Sequence, residues 1–181
     1  MFQTVETDLG LEEELESMRT CFKEQFNLYV CAIFKIPDKN AHKALMKKIK
    51  GLIDQHGKKE ELIIVGYAGH GVDPKDAQDE RKRLGPSYWV PRANSNLKKE
   101  VDWSTIQPWL HHAPCDTLTV LNCCFAGNAT LGNMKGTSEI LAASDRESWA
   151  YASRRSFLEA LIEVLTEFGT SDGQCGKDVQ L

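Results

Sequence analysis

The sequence predicts an α/β fold, a three-layer α/β/α sandwich with a mostly parallel central sheet. Short apolar runs rich in β-branched residues alternate with amphipathic helical segments along the chain. Two of these runs, residues 62–65 (LIIV) and 118–121 (LTVL), carry no charge, which is typical of strands buried on both faces. The first run is followed directly by Gly66, and the second leads to Gly127 six residues later. This alternation is typical of a parallel sheet covered by helices on both sides.

The first half of the chain contains two predicted helices and two predicted strands. Residues 11–26 form a helix, because apolar side chains recur at spacings of three and four and three glutamates occupy its first turn. Residues 28–36 are rich in Tyr, Val, Ile and Phe and predict a strand. A second amphipathic helix is predicted over residues 41–55, with Gly57 as its C-cap. The strand 61–67 follows.

The second half is predicted to contain three strands, two helices and polar connections. The predicted strands are 88–91, the run that ends at 121, and 139–143. The predicted helices are 106–112, which contains Pro108, and 156–168, which begins with Ser156 and Glu159 at the spacing of a capping box. Residues 72–87 are polar and charged and predict a solvated loop or a short helix. Residues 128–136 carry glycine and asparagine turn signals and predict a mobile loop.

Composition restricts the domain organisation and the class of partner. A length of 181 residues predicts a single domain over 1–181, with a core over about 7–168 and a flexible tail over 169–181. The net charge of -4 argues against nucleic acid as a main partner. No apolar run reaches transmembrane length and residues 1–10 do not resemble a signal peptide, so no membrane partner is expected. We expect a cytoplasmic protein, with the nucleus as the alternative.

Cysteine usage fits a reducing compartment. The six cysteines have no regular disulfide spacing and are expected to be free thiols. The absence of a Cys-x-x-Cys pair argues against a zinc site, so no metal is expected.

The chemistry is expected at the ends of the two buried strands. The run 118–121 leads to Cys123 and Cys124, and the run 62–65 leads to His70 between two glycines. Parallel strands would bring this histidine and one thiol to the same edge of the sheet, where a base and a nucleophile can meet. Because successive strand residues point to opposite faces, only one of the two thiols can face His70.

These two stretches, residues 67–71 (YAGHG) and 121–127 (LNCCFAG), resemble the caspase-like peptidase superfamily, in particular metacaspases and fungal caspase-domain proteins. The resemblance implies a Cys–His dyad. Cys124 aligns with the third residue of the family's Asp-Ser-Cys pattern and is the expected nucleophile, with His70 as the base. The backbone N–H groups of Gly71 and Cys124 are the implied oxyanion hole. A protein or peptide substrate is implied, and a homo-oligomer is left open.

The resemblance covers residues 7–168 and leaves two departures at the ends. The family fold has a strand before its first helix, for which residues 1–6 are available, and a further strand and helix after residue 168. The sequence therefore leads us to expect a caspase-like domain that is truncated at both ends.

Asn122 is the third departure, and it concerns specificity. Metacaspases carry an acid at this position, which binds a basic substrate side chain. An amide keeps hydrogen bonding but loses the charge, so basic P1 specificity is not expected.

No cofactor is expected, although some metacaspases bind calcium. Four acidic residues precede a basic run in the 72–87 segment, and they lack the spacing of an EF-hand. An exposed acidic loop is the favoured interpretation. The four acids are Asp73, Asp76, Asp79 and Glu80.

Structural interpretations stand beside the functional one. Two adjacent cysteines at a strand end are compatible with simple core residues, and His70 with the cap of a turn. The other four histidines are expected to be structural or surface residues. They are His42, His56, His111 and His112.

Two main functional hypotheses remain, with a weaker third. The first is a caspase-like cysteine endopeptidase, favoured by His70 and Cys124. The alternative is a catalytically weak or inactive caspase-like module that acts as an interaction or signalling domain, favoured by Asn122 and the short ends. A flavodoxin-like binding domain is disfavoured, because no glycine-rich phosphate loop follows a first strand.

Overall fold

A computed structural model describes residues 1–5, 7–72, 88–92, 100–124, 126, 137–144 and 156–170. Within these ranges the chain forms eight strands and four helices. In order they are β1 (Phe2–Thr4), α1 (Glu12–Phe26), β2 (Phe34–Ile36), α2 (Ala41–His56), β3 (Leu62–Ala68), β4 (His70–Val72), β5 (Tyr88–Val90), β6 (Val101–Asp102), α3 (Trp103–His111), β7 (Asp116–Asn122), β8 (Ser138–Ala142) and α4 (Phe157–Thr170).

Five of the strands form one parallel sheet in the order β2-β1-β3-β7-β8. Its centre is the pair β3 and β7, which are in register from Leu62 opposite Asp116 to Ala68 opposite Asn122. The predicted α/β class with a parallel central sheet is confirmed. From β1 the chain adds β2 on one side and then β3, β7 and β8 on the other. The position between β1 and β3 is therefore the topological switch point of the sheet.

Strand β3 distributes its side chains to two apolar clusters on opposite faces of the sheet. Ile63, Val65 and Tyr67 join a cluster that includes residues of α2 and α3. Ile64 and Ala68 join a cluster that includes residues of α1 and α4. This alternation follows from the strand period of two, and helices on both faces give the layered arrangement.

A second, smaller sheet carries the histidine that the sequence singled out. Strands β4, β5 and β6 pair antiparallel, with His70 opposite Val90. Three aromatic rings anchor this sheet to the main one. Tyr67 stacks on Trp89 with centroids 3.8 Å apart, and Trp89 stacks on Trp103 at 4.2 Å. All three are buried, so the hairpin that starts at His70 has a rigid apolar support.

Strand β2 is shorter than predicted. It spans only Phe34–Ile36 instead of 28–36. Two hydrogen bonds explain why the chain before it is not extended. The N–H of Leu28 donates to the Phe22 carbonyl at the end of α1, and the carbonyl of Cys31 accepts from the Arg19 side chain at 2.9 Å. These backbone groups are therefore used outside a strand ladder.

The short strands β1, β4 and β6 were not predicted. The first residues form β1, so a strand precedes α1. Two other predictions need correction. His111 was expected at the surface, but it is 5% exposed and bonded to Gln107 inside α3. Helix α4 extends to Thr170, two residues into the predicted tail.

Three predicted regions fall on residues that the structure does not describe. They are residues 73–87 of the charged loop, residues 128–136, and 171–181 of the tail. Among the described residues, no helix is both long and apolar enough to cross a membrane.

Candidate active site

The candidate site lies where β1, β3 and β7 end. These strands are neighbours in the parallel sheet, and all three run in the same direction. The chain that follows β3 leads directly to His70, and the chain that follows β7 leads to Cys124. The crevice at a switch point beyond the carboxyl ends of parallel strands is the usual ligand position in such sheets.

The backbone around His70 is fixed from two sides. The N–H of Gly69 donates to the Asn122 carbonyl at 3.2 Å, and the Tyr67 hydroxyl donates to the His70 carbonyl at 3.1 Å. A side chain at position 69 would lie 2.8 Å from the ring carbon Cζ of Tyr67, so glycine is required for this approach. Burial raises the pKa of Tyr67 well above its usual range, so the phenol keeps its proton and remains a donor.

Gly71 contacts the backbone of Cys124. A Cβ at position 71 would overlap the Cys124 carbonyl oxygen and lie 3.0 Å from its carbonyl carbon and 3.3 Å from its nitrogen. The absence of a side chain at Gly71 therefore lets β4 approach the end of β7. This contact joins the histidine-bearing and cysteine-bearing segments at one edge of the sheet.

The two adjacent thiols occupy different environments. Cys123 is 1% exposed and belongs to the core cluster on the α2 side of the sheet, whereas Cys124 is half-buried. The bend after β7 is held by Ser144, whose hydroxyl donates to the Cys123 carbonyl at 3.0 Å and accepts from the Ala126 N–H at 3.2 Å. Of the pair, Cys124 is the more exposed cysteine.

Asp8 is a site residue that sequence reasoning missed. Its Oδ1 lies 2.6 Å from Nε2 of His70, although 62 positions separate the two residues. The His70 side chain is 16% exposed and the Asp8 side chain is 57% exposed. The hydrogen bond from His70 is the main reason that the pKa of Asp8 is lowered. The signal available in the sequence was an acid shortly after a first strand, at a switch point that only the strand order reveals.

Asn122 lies at the last position of β7, opposite Ala68 of β3. It is 8% exposed, and its carbonyl accepts the Gly69 hydrogen bond. Asn122 is therefore part of the framework that joins the two strand ends. The predicted specificity position and the predicted dyad thus share one edge of the sheet.

The calcium hypothesis concerns residues that lie outside the described ranges, namely Asp73, Asp76, Asp79 and Glu80. Among the described residues, no group of three or more His, Cys, Asp and Glu side chains could hold a metal ion. The cysteines of the same ranges form no disulfide, and they are Cys21, Cys31, Cys115, Cys123 and Cys124.

The remaining histidines have other surroundings on α2 and α3. His42 lies 3.3 Å from the Thr105 hydroxyl, and the His56 ring lies 5.9 Å from the ring centre of Tyr29. His112 donates from Nδ1 to the Pro108 carbonyl at 2.7 Å. His112 is exposed, as predicted.

Comparison of the chain with protein-family models, with curated proteins and with solved structures finds no match.

Proposed function

We propose that this chain is a caspase-like cysteine endopeptidase in which Cys124 is the nucleophile and His70 is the base. One observation carries the proposal: the Gly71 backbone packs directly against Cys124, at the edge where the histidine-bearing and cysteine-bearing strands end together. A reachable thiol beside a glycine-flanked histidine is the arrangement that nucleophilic catalysis by cysteine requires.

The reaction follows from these groups. The thiol proton of Cys124 passes to His70, and the sulfur forms a bond to the carbonyl carbon of the scissile peptide. The resulting oxyanion accepts hydrogen bonds from the N–H groups of Gly71 and Cys124. The C–N bond then breaks and the leaving amine takes the proton from His70. Water, deprotonated by His70, hydrolyses the thioester, which releases the carboxylic acid and restores the thiol.

Neutral P1 side chains are the proposed substrate class. Asn122 occupies the position where metacaspases carry an acid, and it is nearly buried at the end of β7. An amide there offers a donor and an acceptor but no charge, so a buried Arg or Lys would lack an ionic partner. Asn122→Asp should therefore raise cleavage after Arg by at least about 10-fold, which corresponds to about 1.4 kcal/mol of transition-state binding. Efficient cleavage after Arg by the unmodified chain would contradict this assignment.

The decisive experiment is labelling with a peptidyl electrophile, with adducts located by mass spectrometry. We expect one adduct, on Cys124, and its loss in both Cys124→Ala and His70→Ala. Cys31 offers a matched control, because it is also a half-buried cysteine outside any disulfide. Cys31→Ala should leave the labelling unchanged.

The same experiment separates the alternative function. In an interaction module, the thiol of Cys124 would react no faster than that of Cys31, and His70→Ala would change neither rate. That result would reject the peptidase and support the inactive caspase-like module, for which Asn122 is the favouring feature. A cytosolic location fits an enzyme that depends on a reduced thiol.

A further inference from the structure

We propose that Asp8 is a positioning residue for His70, and that its carboxylate binds the Nε2–H of the imidazole so that Nδ1 serves as the base. This inference rests on the proposed peptidase function and adds a third member to the expected dyad. It concerns Asp8 of the loop between β1 and α1, a segment to which the sequence assigned no chemistry.

The hydrogen bond determines which nitrogen carries the proton. Oδ1 of Asp8 and Nε2 of His70 are 2.6 Å apart, a distance typical of a charge-assisted hydrogen bond. The pKa of Asp8 is lowered, first by this hydrogen bond, with a smaller contribution from the charge of Arg92 beyond β5. Asp8 is therefore ionised at neutral pH and can only accept. The proton must lie on Nε2, and the neutral ring then has its lone pair on Nδ1.

The strand order makes this contact a consequence of the fold. Asp8 follows β1 and His70 follows β3, and these neighbouring strands flank the switch point of the sheet. The loop is short and held at both ends, because Thr4 is buried in β1 and Leu11 is buried at the start of α1. Gly10, with a φ of 61°, turns the chain into the helix. A loop anchored in this way keeps the carboxylate in place beside the imidazole.

The carboxylate can assist the reaction in two ways. It fixes one tautomer and one ring orientation, and it stabilises the imidazolium that forms when the thiol proton reaches His70. Because the Asp8 side chain is 57% exposed, water and salt screen its charge. We therefore expect a moderate effect, a loss of about 10-fold in the reactivity of Cys124 when the charge is removed, equivalent to about 1.4 kcal/mol.

The test uses Asp8→Asn, which preserves the shape and one acceptor oxygen but removes the charge. The rate of iodoacetamide alkylation at Cys124 is followed at neutral pH by mass spectrometry. The matched control is Asp54→Asn, since Asp54 is also exposed and bonded to a cation, Lys50, at 2.8 Å on α2. Asp8→Asn should lower the rate about 10-fold, Asp8→Glu should restore part of it, and Asp54→Asn should leave it unchanged.

Two readouts distinguish positioning from a structural role. Raising the salt to about 1 M, where the Debye length is about 3 Å, should slow the wild type more than Asp8→Asn. In the background of His70→Ala, Asp8→Asn should have no further effect, because Asp8 acts through the histidine. Nitrogen NMR of the wild-type imidazole should show the proton on Nε2.

The outcomes separate the two proposals. If His70→Ala leaves Cys124 reactivity unchanged, the peptidase function fails and this inference fails with it. If His70→Ala slows Cys124 but Asp8→Asn does not, the function stands and Asp8 has no positioning role. An NMR spectrum with the proton on Nδ1 would also overturn the inference, and this measurement requires no variant that must fold.

Discussion

Replacing Gly71 by alanine tests the contact on which the site depends. The added methyl group would overlap the carbonyl oxygen of Cys124, and the atoms in its way belong to backbone. Neither side can yield easily, because Gly71 is paired with Trp89 in the small sheet and Trp89 is fully buried in the aromatic stack. We therefore expect the substitution to force β4 away from the end of β7.

The magnitude follows from two opposing terms. Forcing an extra methyl group into a packed site costs about 1–3 kcal/mol. Alanine gains about 0.5–1 kcal/mol over glycine, because the unfolded chain loses less entropy on folding. The net loss of unfolding free energy for Gly71→Ala should be about 0–2.5 kcal/mol. The matched control is Gly51→Ala on α2, where nothing lies within 4 Å of the added atom and a gain of about 0.5–1 kcal/mol is expected.

Urea unfolding followed by circular dichroism measures both variants, and alkylation of Cys124 is measured on the same samples. Gly71→Ala should lower the urea midpoint and slow the alkylation of Cys124, whereas Gly51→Ala should raise the midpoint and leave alkylation unchanged. If both alanines stabilise the protein equally and both retain wild-type alkylation, the packing of Gly71 on Cys124 is refuted.

Three further predictions concern stability, each measured by urea unfolding. Tyr67→Phe should cost about 0.5–1.5 kcal/mol at neutral pH by removing the bond to the His70 carbonyl. Because burial raises the pKa of Tyr67, the free energy of unfolding of the wild type should fall as the pH rises above about 10. Tyr67→Phe should lose this pH dependence, and an equally steep fall in the variant would contradict the prediction. Burial lowers the pKa of His111, so its contribution to the free energy of unfolding should be complete above about pH 6.5 and be lost as the pH falls below it. His111→Gln should lose less stability on acidification, and an equal loss in wild type and variant would refute the prediction. Ser156→Ala should cost about 1 kcal/mol, since Ser156 and Glu159 bond each other's N–H groups at the start of α4; no loss would contradict the cap.

The long helices and strands could be predicted because the pattern of apolar side chains along each one shows which of its sides are buried. Helices α1 and α2 begin and end within one residue of the predicted ranges, since one apolar stripe faces the sheet in each. Strands β3 and β7 were identified from uncharged apolar runs, which a strand covered on both faces requires. The capping box correctly located the start of α4.

The short elements could not be predicted, because two or three residues do not carry a periodic pattern. Strands β1, β4 and β6 exist through pairing with partners distant in sequence, such as Gly71 with Trp89. The same limit explains why residues 28–33 were wrongly predicted as part of β2. Their composition favours a strand, but their backbone groups bond to the Arg19 side chain and to the end of α1 instead. His111 was misjudged because the helix face it occupies was assigned without knowing which side α3 would bury.

In the candidate site too, some residues could be selected from the local sequence and one could be found only from the strand order. His70 and Cys124 could be selected from the sequence, because each follows a recognisable buried strand and carries a reactive group. Asp8 could not, because β1 has only three residues and the sequence offers a second acid, Glu6, two positions earlier. Only the strand order shows that Asp8 lies beside His70. Once β1 lies beside β3, the loop after β1 must pass the histidine that follows β3, and a carboxylate in that loop is within reach of the imidazole. In a sheet of this order, the loop after the first strand is therefore where a partner for the histidine should be sought.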